Sequence, residues 1–194
     1  MVYLVGMSQK HHSTEAFEEL AMPLFDPLFN FAQWLTQNRE EAEDLVQETY
    51  TKALRGFASF EAGTNFRAWM YRILRNTFLT SRSGLAAMRT VALADCDSDS
   101  NPGSTPLDLV DLHTPESLLL AQADRDLLAS SVERLPVHFR EVLVLCEVEE
   151  MQYREIAETL GIPVGTVMSR LSRARHALRQ ELHMQLAIPG RSRT

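Results

Sequence analysis

The chain has 194 residues, 45% of them hydrophobic, and a net charge of −7. That length suits one medium domain or two small ones, and the apolar share is ordinary for a packed, soluble protein. No apolar run approaches the roughly 20 residues of a membrane span, and Met1 to Val5 is too short for a signal-peptide core and has no basic flank before it; the chain reads as cytoplasmic with no membrane insertion.

Two cysteines, Cys96 and Cys146, stand far apart with no CxxC and no His at ligand spacing, which points to plain thiols in a reducing compartment. The His, Ser and carboxylate residues form no nucleophile or metal pattern, so the expectation is no catalytic residue, no metal and no cofactor.

Taken whole, the negative charge argues against nucleic acid. Its distribution reverses that impression. From Phe66 to Ser83 the charged residues are Arg67, Arg72, Arg75 and Arg82, with no acid among them. From Val164 to Gln180 they are Arg170, Arg173, Arg175 and Arg179, again without an acid. The acids gather elsewhere, in Glu40, Glu41, Glu43, Asp44 and Glu48 and again between Asp95 and Asp111. Two basic segments on an acidic chain suggest two local nucleic-acid contacts. For either segment alone, a solvated helix face is the simpler reading.

Strand signals are scarce, and most of the chain follows a helical period. Residues 1–13 form a loose leader with an adjacent His11–His12 pair that is incidental as a metal site. A first helical block covers 14–84. Pro23 and Pro27 interrupt its start, with Pro27 tolerable in a first turn after Asp26. Asn38 can cap the next helix, and Glu41 three residues on fits a capping box. That helix runs toward Arg55 and ends near Gly56. A loop from Phe60 to Asn65 carries Gly63, and a helix follows from Phe66 to about Ser81. Residues 85–113, rich in Asp, Ser, Asn, Pro and Gly, read as a flexible acidic linker. Thr114 and Pro115 open a second block, 114–186, with Thr114 as cap and Pro115 in the first turn. Residues 187–194 are a tail.

The expected fold is therefore all-α: two small helical domains joined by the linker. Phe29, Trp34, Leu45, Val46 and Leu54 are the expected core of the first. Leu135, Val142, Leu145, Ile156, Leu160, Val167 and Leu171 are that of the second.

The sharpest local pattern lies in the second block. Between Tyr153 and Leu160, Ile156, Ala157 and Leu160 share a face. Gly161 supplies a tight turn in which positive φ is inexpensive only for glycine. Pro163 starts the next helix, where Val167, Leu171, Ala174 and Leu178 face inward. Gly165, Thr166, Ser169, Arg170 and Arg173 are left outside. Small and hydroxyl residues near the N-terminus followed by arginines suit the recognition helix of a helix-turn-helix. An ordinary hairpin with a basic face is the alternative.

Four segments, in order, resemble the extracytoplasmic-function (ECF) sigma factors. Asn38 to Tyr50, NREEAEDLVQETY, is similar to the core of conserved region 2, and Phe66 to Asn76, FRAWMYRILRN, to the helix after it. Leu135 to Val142 and the helix-turn-helix with Ser169 to Arg175 resemble region 4. The resemblance spans roughly 25–82 and 115–180. It implies a sigma factor that binds core RNA polymerase and directs promoter-specific initiation, under an anti-sigma factor and in a stress or envelope regulon. The free protein would be a monomer, or 1:1 with its anti-sigma factor.

The resemblance also implies roles for particular residues. Asp44, Gln47 and Glu48 would dock on the polymerase clamp. The loop with Gly63, Thr64 and Asn65 would take a flipped base of the −10 element, and Arg67, Arg72, Arg75 and Asn76 would hold its strand. Thr166, Ser169, Arg170 and Arg173 would read the −35 duplex. Trp69 and Ile73 share a face with Phe66 and read as core. The linker is compatible with a nucleic-acid mimic or a plain tether. A sigma-like decoy that sequesters an anti-sigma factor is the alternative function; a conventional repressor leaves the first domain unexplained.

Overall fold

The computed structural model describes residues 14–61, 63–83 and 115–187, with only the backbone for 83 and 115–123. The leader with His11 and His12, the linker 85–113 with Cys96, and the C-terminal tail from 188 lie outside the described residues.

Helix α1 spans 14–21. A 3₁₀ turn, Met22–Leu24, follows, and α2 covers Phe25–Thr36. The break falls where the prolines put it: Pro23 sits in the 3₁₀ turn and Pro27 in the first turn of α2, where its missing N–H leaves no helical bond unmade. Gln37 ends α2 in the left-handed region, φ 57°. Helix α3, Arg39–Gly56, is capped by Asn38, whose side-chain oxygen accepts the Glu41 N–H at 3.1 Å.

A second 3₁₀ turn, Phe57–Ser59, leads to the loop with Gly63 at φ 95° and then to α4, Phe66–Ser83. The C-terminal bundle has α5, Pro115–Glu133; α6, Val137–Glu147; α7, Tyr153–Leu160; and α8, Val164–Ala187. Among the described residues every element is helical.

Helix α7 begins in a capping box, Glu155 accepting the Gln152 N–H at 2.8 Å. It ends on Gly161 at φ 65°. A Cβ there would meet nothing within 4 Å, so backbone conformation, not crowding, selects glycine for the turn.

All seven residues expected in the second core are buried. In the first bundle Leu45 and Val46 are buried, while Phe29 and Trp34 are half-buried against the core. Leu54 departs from expectation, at 45% exposed. The buried stripe of α3 is Ala42, Leu45, Val46, Thr49 and Ala53, and Leu54 lies 100° beyond Ala53 on the helical wheel. Trp69 and Ile73 are half-buried, Trp69 within an aromatic group with Phe60 and Phe66. Tyr71 is fully buried beside Phe31.

The apolar core runs through both bundles as one cluster. The bundles meet along two seams, α2 on α6 and α4 on α7. At the first, Arg140 is buried and donates to the carbonyls of Glu133 (2.6 Å), Leu135 (2.9 Å) and Trp34 (2.7 Å). Gln37 Nε2 also donates to the Glu133 carbonyl. One cation thus gathers the orphan carbonyls at the end of α5 and ties them to α2.

Candidate nucleic-acid and partner-binding surfaces

Helix α8 presents its first two turns to solvent. Gly165 and Ser169 are exposed, and Thr166, Arg170 and Arg173 are partly exposed. Inward-facing Val167, Leu171 and Ala174 hold the helix on the core. Ser169 Oγ donates to the Thr166 carbonyl at 3.1 Å. A Cβ built on Gly165 meets nothing within 4 Å, so packing within the chain does not require glycine there. Arg175 turns back to Glu147, with contacts of 2.6 and 3.1 Å, and is thereby drawn off the outer face.

Helix α4 behaves differently. Arg72 and Asn76 are exposed, as are Gly63 and Thr64 in the loop before it. The other candidates on this helix are engaged by the second bundle. Arg67 Nη2 reaches Glu149 Oε2 at 2.9 Å and the Glu149 carbonyl at 2.6 Å, and Tyr71 Oη donates to the same Oε2 at 2.5 Å. Arg75 donates to Glu141 Oε1 at 3.0 Å and to the Leu160 carbonyl at 3.1 Å. Asn65 caps α4 by accepting the Ala68 N–H at 3.0 Å, and its amide donates to Glu155 at 2.5 Å.

The electrostatics follow from burial. Burial raises the Glu141 carboxyl above its ordinary value, against the opposing pull of Arg75 and Arg170. Burial and the bond to Glu149 push the Tyr71 phenol well up, so it stays a donor. Arg67 Nε is buried with no acceptor among the described residues.

The acidic helix α3 splits its candidates between two hollows. Asp44 and Glu48 line one of about 420 Å³ with Leu45, Phe78 and Arg82. Gln47 lines a larger, more apolar groove of about 770 Å³ with Phe17, Met22, Phe25, Tyr50 and Leu54. All three side chains are exposed. Burial, with Asp26 nearby, raises the Tyr50 phenol to about 12; its hydroxyl donates to the Ala21 carbonyl at 2.7 Å. Leu54, Met22 and Phe25 are thus part of a surface groove that periodicity alone did not reveal.

Glu141, Glu149 and Glu155 were not singled out from the sequence. Nothing in their sequence neighbourhoods, including the Glu147–Glu150 cluster that holds Glu149, sets them apart, and only the packing of the second bundle on α4 gives them these partners. Among the described residues no three His, Cys, Asp or Glu side chains gather as a metal site, and no helix is long and apolar enough to cross a membrane. Cys146 is a free, half-buried thiol, held up in pKa by burial.

Two helical bundles, the second built on a helix-turn-helix, are the layout of a two-part transcription factor. The family model for sigma-70 region 2 matches residues 21–86, and that for sigma-70 region 4 matches 125–178. The ECF RNA polymerase sigma factor SigE of Mycolicibacterium smegmatis is 34% identical over 167 residues; the match covers 86% of this chain and 62% of that protein. The ECF RNA polymerase sigma-E factor of Escherichia coli K12 is 33% identical over 141 residues, 71% of this chain and 72% of the relative. Among solved structures, the sigma factor RpoE bound to the anti-sigma factor NepR from Bartonella quintana superposes with a TM-score of 0.62 at 28% identity, covering 87% of this chain and 98% of that one. CnrH, in complex with the cytosolic domain of CnrY, shares the fold with a TM-score of 0.61 at 24% identity, covering 93% and 96%. The chain belongs to the sigma-70 family, in its ECF group.

Proposed function

We propose that this chain binds core RNA polymerase and directs it to two-element promoters, with no catalysis of its own. The observation that carries this reading is the pair of acid-free arginine faces, one on each bundle. The α8 face reads the −35 duplex through Thr166, Ser169, Arg170 and Arg173, arginine pairing with guanine edges or phosphates. Gly165 supports close approach, since nothing within the chain needs a glycine there. The −10 strand lies on the loop Gly63–Asn65 and on Arg67, Arg72, Arg75 and Asn76. Arginine suits phosphate through its planar fork of donors, and a nearby exposed loop suits an unstacked base.

Asp44, Gln47 and Glu48 dock on the polymerase clamp, where an acidic helix meets a basic surface. An anti-sigma factor controls access, as the complexes of the related sigma factors suggest. The working units are residues 14–84 and 114–186, joined by the linker 85–113, and the protein acts in the cytoplasm as a monomer or 1:1 with its anti-sigma factor. Transcription by core polymerase on a promoter pool tests this, alongside an Asp44→Ala/Gln47→Ala variant. Two-element promoters should fire with the natural chain and fire weakly with the variant. A folded chain that leaves core polymerase inactive would transfer the weight to a decoy that only captures an anti-sigma factor.

A further inference from the structure

The outer face of α8 carries more than its arginines. Val164 and Met168 are 39% and 55% exposed and lie outside the apolar core. Being four residues apart, they are neighbours on one flank of the helix. Thr166, Arg170 and Arg173 share the opposite flank, and exposed Gly165, Ser169 and Ser172 form a low ridge between the two. We infer that Met168, with Val164 beside it, reads a thymine of the upstream element through the C5 methyl group. This rests on the reading of α8 as the helix that enters the −35 duplex.

A single exposed methionine is ordinary protein surface. What sets this pair apart is its place, beside the arginines that meet the duplex. The major groove of unmodified DNA shows hydrogen-bonding groups at every base pair and one apolar group, the thymine methyl. A thioether is only a weak acceptor, so against a G·C edge it strips water from polar atoms and returns little. Against a thymine methyl it makes an apolar contact, and its unbranched chain adapts to the methyl's position. The two flanks therefore divide the base edges between them. The arginine flank takes guanine edges and phosphates, and the apolar flank takes an A·T pair.

The ridge lets the helix come close enough for such a contact. A Cβ on Gly165 would stand in open space, and Ser169 and Ser172 are short, so nothing bulky on the ridge holds α8 away from the base edges. Ser169 Oγ is already turned to the Thr166 carbonyl at 3.1 Å. Met184 is also 55% exposed on α8 but lies sixteen residues on, about 24 Å along the helix axis. It adjoins Gln185, which bonds to Ser130 and Ser131 of α5. The same side chain at the same exposure thus stands both beside the ridge and far from it, which supplies an internal control.

The test uses the full chain with core RNA polymerase on a promoter recovered from the promoter pool. Each thymine of the upstream element is replaced in turn by uracil, which removes the methyl and keeps every hydrogen-bonding group, and promoter binding is measured. At one position uracil should weaken binding by the natural chain about fourfold, the effect of one buried methyl-sized group. Met168→Ala should bring binding of the thymine promoter down to that level and leave binding of the uracil promoter unchanged. Its melting temperature should not fall, since alanine is the best helix former. Met184→Ala should keep the thymine preference. An upstream element without thymine, indifference of the natural chain to uracil at every position, or a preference that survives in Met168→Ala overturns the proposal. Equal weakening of both promoters by Met168→Ala also overturns it, and would assign the flank to a protein surface of the polymerase. Failure of the initiation reading has a separate mark: core polymerase stays inactive with the natural chain on the whole pool, and the thymine reading falls with it.

Discussion

Helices α4 and α8 look alike in sequence, each an arginine-bearing stretch without acids, and the fold treats them in opposite ways. The first turns of α8 project from the C-terminal bundle with Thr166, Ser169, Arg170 and Arg173 at the surface. Helix α4 lies in the seam, with Arg67 and Arg75 paired to Glu149 and Glu141. An acid-free basic face therefore marks a helix that wants an acidic partner, but it does not say whether that partner is a nucleic acid or the chain's own carboxylates. The difference arises because α6 and the turn after it bring Glu141 and Glu149 to α4, while α8 packs on the core through Val167, Leu171 and Ala174 and leaves its arginine side outward.

The largest effect that breaks this contrast is at Arg140. Arg140→Ala removes a buried cation from the carbonyls of Glu133, Leu135 and Trp34. Leaving buried carbonyls without a donor costs about 1–3 kcal/mol for each group left unsatisfied, and urea unfolding should show a loss of at least that order. The α2–α6 seam should loosen with it.

Next come the arginines proposed to read promoter DNA. Arg170→Ala or Arg173→Ala should cost about 1–3 kcal/mol at one base of the upstream element, seen as relaxed selection at that position in a promoter pool. Arg72→Ala should instead weaken binding across all sequences and reduce the salt slope by about 0.7 if it meets a single-stranded phosphate. A sequence-selective effect at Arg72 would blur the distinction between the helices.

A pH series sharpens the buried side of the comparison. The Glu141 carboxyl is raised in the folded chain, chiefly by burial. The folded state thus holds a proton that the unfolded state gives up, and Glu141's contribution to stability is lost as pH rises from the ordinary carboxylate value through the raised one. Thermal melts across that window should show a downward slope attributable to Glu141 that disappears in Glu141→Gln.

A smaller effect separates function from folding at Gly165. Because a Cβ there meets nothing, Gly165→Ala should leave the melting temperature equal or slightly higher while weakening binding to duplex DNA. The smallest expected effect is at the exposed Arg39–Glu43 pair. Arg39→Ala should not move the melting temperature measurably, since such surface pairs contribute little.

Much of this was legible beforehand, for physical reasons that differ by element. The prolines at 23 and 27 broke the first helix where steric rules require it. Asn38 capped α3 because its side chain competes for the free N–H groups of a first turn. Gly161 closed the helix-turn-helix because the turn needs positive φ. Leu54 was misplaced because a wheel assigns a face only to within a residue's width of 100°, and Leu54 sits just past the edge of the buried stripe. Asn65 was assigned to a base edge from its chemistry, and that chemistry serves equally well for the cap of α4 and for Glu155.

The sequence by itself determined the all-helical class, the Asn38 cap, the Gly161 turn, the two basic faces and the family. All of these depend on residues near one another along the chain, where spacing and side-chain type settle the outcome. Only the tertiary structure decided which arginines are covered, that Glu141, Glu149 and Glu155 are their partners, and that Gln47 looks into a different groove from Asp44 and Glu48. Those facts join residues as far as 106 positions apart, from Trp34 to Arg140. The pairing is set by how the faces of α6 and α7 turn when they pack on α2 and α4, which no local pattern encodes.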